Sequence, residues 1–318
     1  MIKKYSIPLL FFFVLISCLF LSSSYLNTSD NIHQQGFNNK YNVYSIIKPN
    51  NLTFANELVP DSSSDIWERL DKELLKNIYW QSNTLLYFKR ANKYFPIIEE
   101  ILAKNNIPDD FKYLAVIESG FEYTVSPSGA AGFWQIMKGT AREYGLEVNY
   151  AIDERYNLRK STEAACKYLQ KAYDEFGSWT MAAASYNMGI NGVKRKMQKQ
   201  ETNNYFNLHL NDETSRYLFR IIVIKEIMEN PRKYGFVFRK SDLYNYPEVK
   251  QIRVDSTIND LHLFVKKHNV NYKILKKYNP WLRISKLPDE SRKVYYIDLP
   301  IKSEKLVFDD LVFEESLN

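Results

Sequence analysis

"AVIESGFEYTVSPSGAAGFWQIMKGTA", residues 115–141, sets one carboxylate in an apolar helical run and follows it with a loop of small residues. Phe111, Leu114, Ala115 and Glu118 recur at i, i+3, i+4 and i+7, which puts the Glu118 carboxyl on the apolar stripe of its helix; Val116 and Ile117 widen that stripe. Burial disfavours the charged form of a carboxyl, so the pKa of Glu118 is expected to rise. A proton kept near neutral pH is what a general acid hands to a leaving oxygen. Spacing alone leaves a second reading open, a helix-end glutamate paired with a cation. Gly120 is expected to stop the helix just past the acid and open its end towards a cleft. The loop "SPSGAAGFWQI" then offers close backbone approach and three uncharged hydrogen-bonding groups, Ser126, Ser128 and Gln135. Phe133 and Trp134 read either as walls for a sugar or as core. Neutral donors around a single acid suit a glycan better than a phosphate, and no P-loop or dinucleotide pattern occurs.

Glycoside hydrolysis ordinarily uses two carboxylates. Glu122 would share a face with Glu118 only if the helix ran on through Gly120, which is not expected. Asp153 and Glu154 are the next acids, with capping or surface pairing as their expected roles.

Working outward, helical periodicity dominates from Asp65 to about residue 236, with a break expected at Pro96 and Asp109 or Asp110 placed to cap the helix bearing Glu118. Two further helices, Ser161 to Phe176 and Thr180 to Tyr186, are expected to stop near Gly177 and Gly189, and a last one to stop at Pro231. Beyond about residue 245 the order becomes strand, helix, helix, turn, strand, ending in the alternating "KVYYIDLP". The domains read as 1–26 export signal or N-terminal anchor, 27–64 polar tether, 65–240 helical domain, 245–302 small α+β domain and 303–318 acidic tail.

The N-terminus carries Lys3 and Lys4, an apolar run from Ile7 to Leu21, then serines, the layout of an export signal or anchor. Leu15-Ile16-Ser17-Cys18 resembles a lipobox, which would place lipid on Cys18. The other cysteine, Cys166, reads as a buried hydrophobe. His33, His209, His262 and His268 are scattered without metal-ligand spacing, so neither metal nor other cofactor is expected. The net charge of +6 is spread along the chain, which favours weak attraction to an anionic polymer over a nucleic-acid partner. The 24 tyrosines suit carbohydrate contact and core packing equally.

Glu118-Ser119, "SPSGAAGFWQIMKGTA", "DERYNLRKSTEAACKYL" and "FGSWTMAAASYNMGINGV" resemble the successive motifs of the soluble-lytic-transglycosylase (SLT) catalytic domain, over roughly residues 90–200. The resemblance implies a lysozyme-like, mostly α fold and cleavage of the MurNAc–GlcNAc bond of peptidoglycan with 1,6-anhydro ends and no water. It implies Glu118 as the single acid and base, and Ser126, Gln135, Met137, Tyr186 and Asn187 as substrate-binding residues. It implies too that the substrate's N-acetyl group and C6 hydroxyl take the place of a second carboxylate. Met188 and Lys138 depart from the family pattern, where alanine and proline are usual. Residues 250–300 resemble a divergent LysM module, which implies binding to N-acetylglucosamine glycans. Together these imply an exported, envelope-located monomer whose partner is peptidoglycan, membrane-associated through a signal anchor or through lipid on Cys18; a lysozyme-type hydrolase or a silent wall-binding protein are the alternatives.

Overall fold

The structure, a computed structural model, describes residues 31–32, 34–35, 43–60, 63–288 and 293–301. Segment 1–26 with Cys18 and the tail 303–318 lie outside the described residues. The chain divides into Met1–Ile47 and Lys48–Asn318, and every element below belongs to the second unit. Among the described residues no helix is long and apolar enough to cross a membrane.

The larger unit opens with a hairpin of β1 (Thr53–Phe54) and β2 (Glu57–Leu58). Ala55 and Asn56 close it at φ 50° and 64°, the left-handed pair that a two-residue hairpin turn needs. Phe54 is fully buried, edge-on to Phe111 at 5.1 Å. This part of the expected tether is therefore docked, because Leu52 and Phe54 anchor an otherwise polar stretch.

Helices α1 (Ser64–Tyr79) and α2 (Gln81–Lys104) follow. The break expected at Pro96 does not occur; α2 runs through the proline and the interruption falls at Trp80. Buried flanks at Ala91, Tyr94, Ile98, Ile101 and Leu102 hold the helix against the one hydrogen bond that proline removes. A 3-10 turn, Asp109–Phe111, leads into α3 (Lys112–Ser119), in which Leu114, Ala115 and Val116 are wholly enclosed. Neither aspartate caps that helix. Asp110 accepts from the Ala55 backbone N–H and the Lys225 ammonium, each at 2.7 Å, while Asp109 pairs with Lys112. Gly120 ends α3 at φ 56°, and a Cβ there would stand 2.7 Å from the Tyr87 ring.

After α4 (Lys138–Glu143) come α5 (Leu158–Phe176), α6 (Trp179–Met188), α7 (Ile190–Gln200) and α8 (Asp212–Glu229). Gly177 and Gly189 end α5 and α6 as their pattern indicates. The amides at the start of α6 are met from outside: Glu57 of the hairpin accepts from the N–H groups of Trp179 and Thr180 and from the Ser178 hydroxyl. Helix α8 is buried nearly all round, with Leu218, Phe219, Ile221 and Ile224 enclosed, and it packs on α1, α3 and α6. It is the core against which α3 is set.

Residues 236–246 return along α2, placing Phe236 and Phe238 on Phe88 and donating from Tyr244 N–H to Lys89 O. The C-terminal elements are β3 (Val249–Val254), α9 (Leu261–Lys267), α10 (Tyr272–Tyr278) and β4 (Tyr295–Pro300), the order expected from the pattern. The two strands pair antiparallel from Val249↔Pro300 to Val254↔Tyr295. Their core is not separate: Leu261, Leu275, Trp281, Leu282 and Ile297 share one buried cluster with Ala131, Ala151, Ile152 and Tyr156 of the helical part. The fold class is thus mostly α with a small α+β C-terminal part.

Candidate active site

Helix α3 carries Glu118 one residue before its end, with part of the side chain still open to solvent. The carboxylate accepts a short hydrogen bond from the Tyr217 hydroxyl of α8. Its partner among the described residues is thus a hydroxyl rather than a cation, and the ion-paired reading does not hold. Arg220, one turn further along α8, donates to Ile117 O at 2.7 Å and acts on Glu118 through its charge alone. Burial lifts the Glu118 pKa from 4.5 to about 7; the Tyr217 bond and the Arg220 charge pull it down, and the Glu213 charge adds to the rise. Tyr217 and Tyr186 are themselves pushed well above 10 by burial and by the negative charge of Glu118, so both stay neutral phenols.

The loop after Gly120 is cross-braced. Ser119 Oγ donates to Phe133 O at 2.9 Å and receives the Phe121 N–H. Ala131 and Ile136 exchange both backbone bonds across a four-residue turn that ends with Gln135 at φ 46°. Phe133 and Trp134 are core, 1% and 0% exposed, with the indole N–H on Thr162 Oγ1, so neither can flank a sugar.

The residues named from the sequence fall in two groups. Gln135, Met137, Tyr186 and Asn187 line one cavity of about 230 Å³, together with Tyr144 and Tyr168. A second hollow of about 340 Å³ shares Thr140, Tyr144, Tyr168, Met188 and Gly189 with it and reaches Lys171 and Arg195, which makes one trough. Glu118 and Ser126 do not line this cavity. Tyr186 joins the two groups: it borders the cavity, donates to Trp134 O at 2.8 Å and lies within reach of the Glu118 charge. Ser126 is half-buried; its Oγ receives the Ala130 N–H at 3.0 Å and shares a hydrogen bond with Ser128 at 2.9 Å. Asn187 donates to Glu213 and accepts from Thr214, which ties α6 to the start of α8.

Other acids are occupied elsewhere. Glu122 pairs with Arg90 beyond the end of α3. Asp153 caps the 155 turn and pairs with Arg155, and Glu154 pairs with Lys160 and accepts the Glu147 N–H, but both acids are buried rather than on the surface. Sequence reading missed Tyr217, Arg220 and Glu213. Their signal was a spacing of i, i+4 and i+7, which puts the three polar groups on one face of a helix whose middle, Leu218 to Ile224, is otherwise apolar. Among the described residues no group of three or more His, Cys, Asp or Glu converges to hold a metal.

Comparison with known proteins follows the two motif series. The family model described as "Transglycosylase SLT domain" matches residues 95–209, and that described as "Soluble lytic transglycosylase C-terminal LysM-like domain" matches residues 250–303. The chain is 31% identical over 176 residues to membrane-bound lytic murein transglycosylase D of Escherichia coli (strain K12). That alignment covers 54% of this chain but only 38% of the E. coli protein. Among solved structures, the 70 kDa soluble lytic transglycosylase SLT70 of Escherichia coli is similar at TM-score 0.40 and 18% identity, over 55% of this chain and 32% of that one. The lytic transglycosylase Slt of Pseudomonas aeruginosa is similar at TM-score 0.37 and 17% identity, over 48% and 26%. The SLT and LysM-like resemblances drawn from the motifs therefore hold for both segments.

Proposed function

We propose that this chain, which carries an SLT domain, is a peptidoglycan lytic transglycosylase in which Glu118 serves as both acid and base. The observation that carries the reading is the desolvated Glu118 carboxyl, with a pKa lifted to about 7, at a helix end beside two neutral phenols. A pKa at the working pH lets one group give a proton and take one back. In the first step Glu118 protonates the glycosidic oxygen as the C1–O bond breaks, and the substrate's N-acetyl carbonyl oxygen bonds to C1. In the second, the C6 hydroxyl attacks C1, displaces the N-acetyl oxygen and returns its proton to Glu118. The product is a 1,6-anhydro end, and no water is consumed.

Tyr217 holds the carboxylate in place, while Gln135, Met137, Tyr186 and Asn187 supply the glycan-facing wall of the trough, with Ser126 on the loop beside it. Segment 65–240 is the catalytic domain and 245–302 the glycan-binding one. An exported, envelope-located protein fits this substrate and the membrane-bound description of its E. coli relative. A hydrolase reading draws on one observation: Glu213 is near enough for its charge to raise the Glu118 pKa, and it is the carboxylate that could activate water. Mass spectrometry of digested peptidoglycan decides, since anhydro ends support the transglycosylase and reducing ends the hydrolase. Loss of all glycan cleavage in Glu118→Gln is expected; full activity in that variant would move the acid elsewhere.

A further inference from the structure

The C-terminal α+β part touches the loop bearing Ser126 and Gln135 through a short chain of contacts that starts at its own core. Leu282, fully buried, forms a backbone bridge with Ile152, Arg283 N–H donates to Ala151 O at 2.8 Å, and Asp153 N–H donates to Trp281 O at 2.9 Å. Residues 151–153 are thereby held as an added edge of the C-terminal part. The Asp153 carboxylate in turn receives Nε and Nη2 of Arg155 at 2.9 and 2.8 Å, a two-point grip that fixes the plane of the guanidinium. The remaining nitrogen, Nη1, donates to Gly129 O and Ile136 O at 2.8 and 3.1 Å, one carbonyl from each side of the 130–135 loop. Arg155 is 8% exposed, and its own carbonyl is packed so closely on Gly132 that a Cβ there would meet it at 2.0 Å. Ala131, inside the loop, belongs to the same buried cluster as Trp281 and Leu282.

We infer that Arg155 is a positioning residue for the substrate loop, and that the C-terminal part braces it through Trp281, Leu282 and Arg283, so that this part sets substrate binding at the catalytic groove as well as any attachment to the wall. The inference rests on the reading of the Ser126–Gln135 loop as substrate-binding. A buried guanidinium whose three nitrogens each meet a fixed acceptor transmits displacement without slack, so a shift at the seam reaches the substrate contacts of the loop and is read in KM.

The test compares the full-length chain with Leu282→Ala, which thins the seam, and Arg155→Lys, which keeps charge but loses the fork. Kinetics on short soluble MurNAc–GlcNAc glycans stripped of stem peptides give KM and kcat, and hydrogen exchange reports the amides of Ala131 and Ile136, which bond each other across the loop. Expected in both variants are a KM raised about tenfold with kcat within about threefold, and about tenfold faster exchange at those two amides. Exchange at Gly120, whose amide closes α3 on Val116 O, stays as in the parent. Unchanged KM and exchange in both variants would overturn the brace, and so would faster exchange at Gly120 by the same factor, which marks general loosening. If the parent itself cleaves no glycan, the functional reading falls, while exchange at Ala131 and Ile136 still decides the brace.

Discussion

Glu118→Gln is expected to stabilise the protein above neutral pH while removing its activity. A carboxyl whose pKa climbs from 4.5 to about 7 on folding binds its proton more tightly in the native than in the unfolded state. Between those two values the native state holds more protons, so wild-type stability falls as pH rises through them and levels off above about pH 7. At about 1.4 kcal/mol per pKa unit the full loss is about 3 kcal/mol, an upper figure because the open edge of the side chain is screened by water. Glutamine has no charge to desolvate, and its amide oxygen still accepts from Tyr217. Urea unfolding at pH 4, 6 and 8 is the assay. The variant should match the wild type at pH 4 and exceed it by up to about 3 kcal/mol at pH 8, with glycan cleavage reduced by at least about 100-fold. A stability difference that does not change with pH would mean that Glu118 titrates as an ordinary glutamate, and the acid role argued for it would fall.

Tyr217→Phe removes a donor that favours the charged carboxylate, so the Glu118 pKa should rise further and the alkaline limb of the pH–rate profile should move up; a downward shift contradicts the assignment. Gly132→Ala places a methyl 2.0 Å from the Arg155 carbonyl at a φ of 79°, and is expected to cost at least about 2 kcal/mol in denaturant unfolding. Glu57→Ala leaves the Trp179 and Thr180 amides without their acceptor and should lower stability by about 1–2 kcal/mol, with Glu57→Asn or Glu57→Gln recovering part of it.

Both readings that failed along the helices did so for the same reason. Pro96 breaks an isolated helix, yet the apolar flanks of α2 pack well enough to carry it through, and the interruption moved to Trp80. Asp109 and Asp110 have the composition of caps, but a lysine from α8 and an amide from the hairpin compete for Asp110 and win. At Pro96 and Asp110 a contact from far along the chain outweighed a local preference, while Asp109 is taken by Lys112 three residues on. The stops at Gly120, Gly177 and Gly189 held because a C-terminal cap is decided within one turn of backbone, where glycine meets no steric penalty.

The sequence alone determined that residues 65–236 are mostly helical, that a strand–helix–helix–strand unit follows, and that one acid sits on an apolar stripe at a helix end, because these depend on spacings of a few residues. The tertiary structure decided what surrounds that acid. Tyr217 lies 99 positions away and comes to Glu118 only because the folded chain packs α8 against α3. It also decided that the C-terminal part shares its core with residues between 131 and 156 of the helical part. Desolvation and cross-chain hydrogen bonds belong to the folded arrangement, and no periodicity in the chain encodes them.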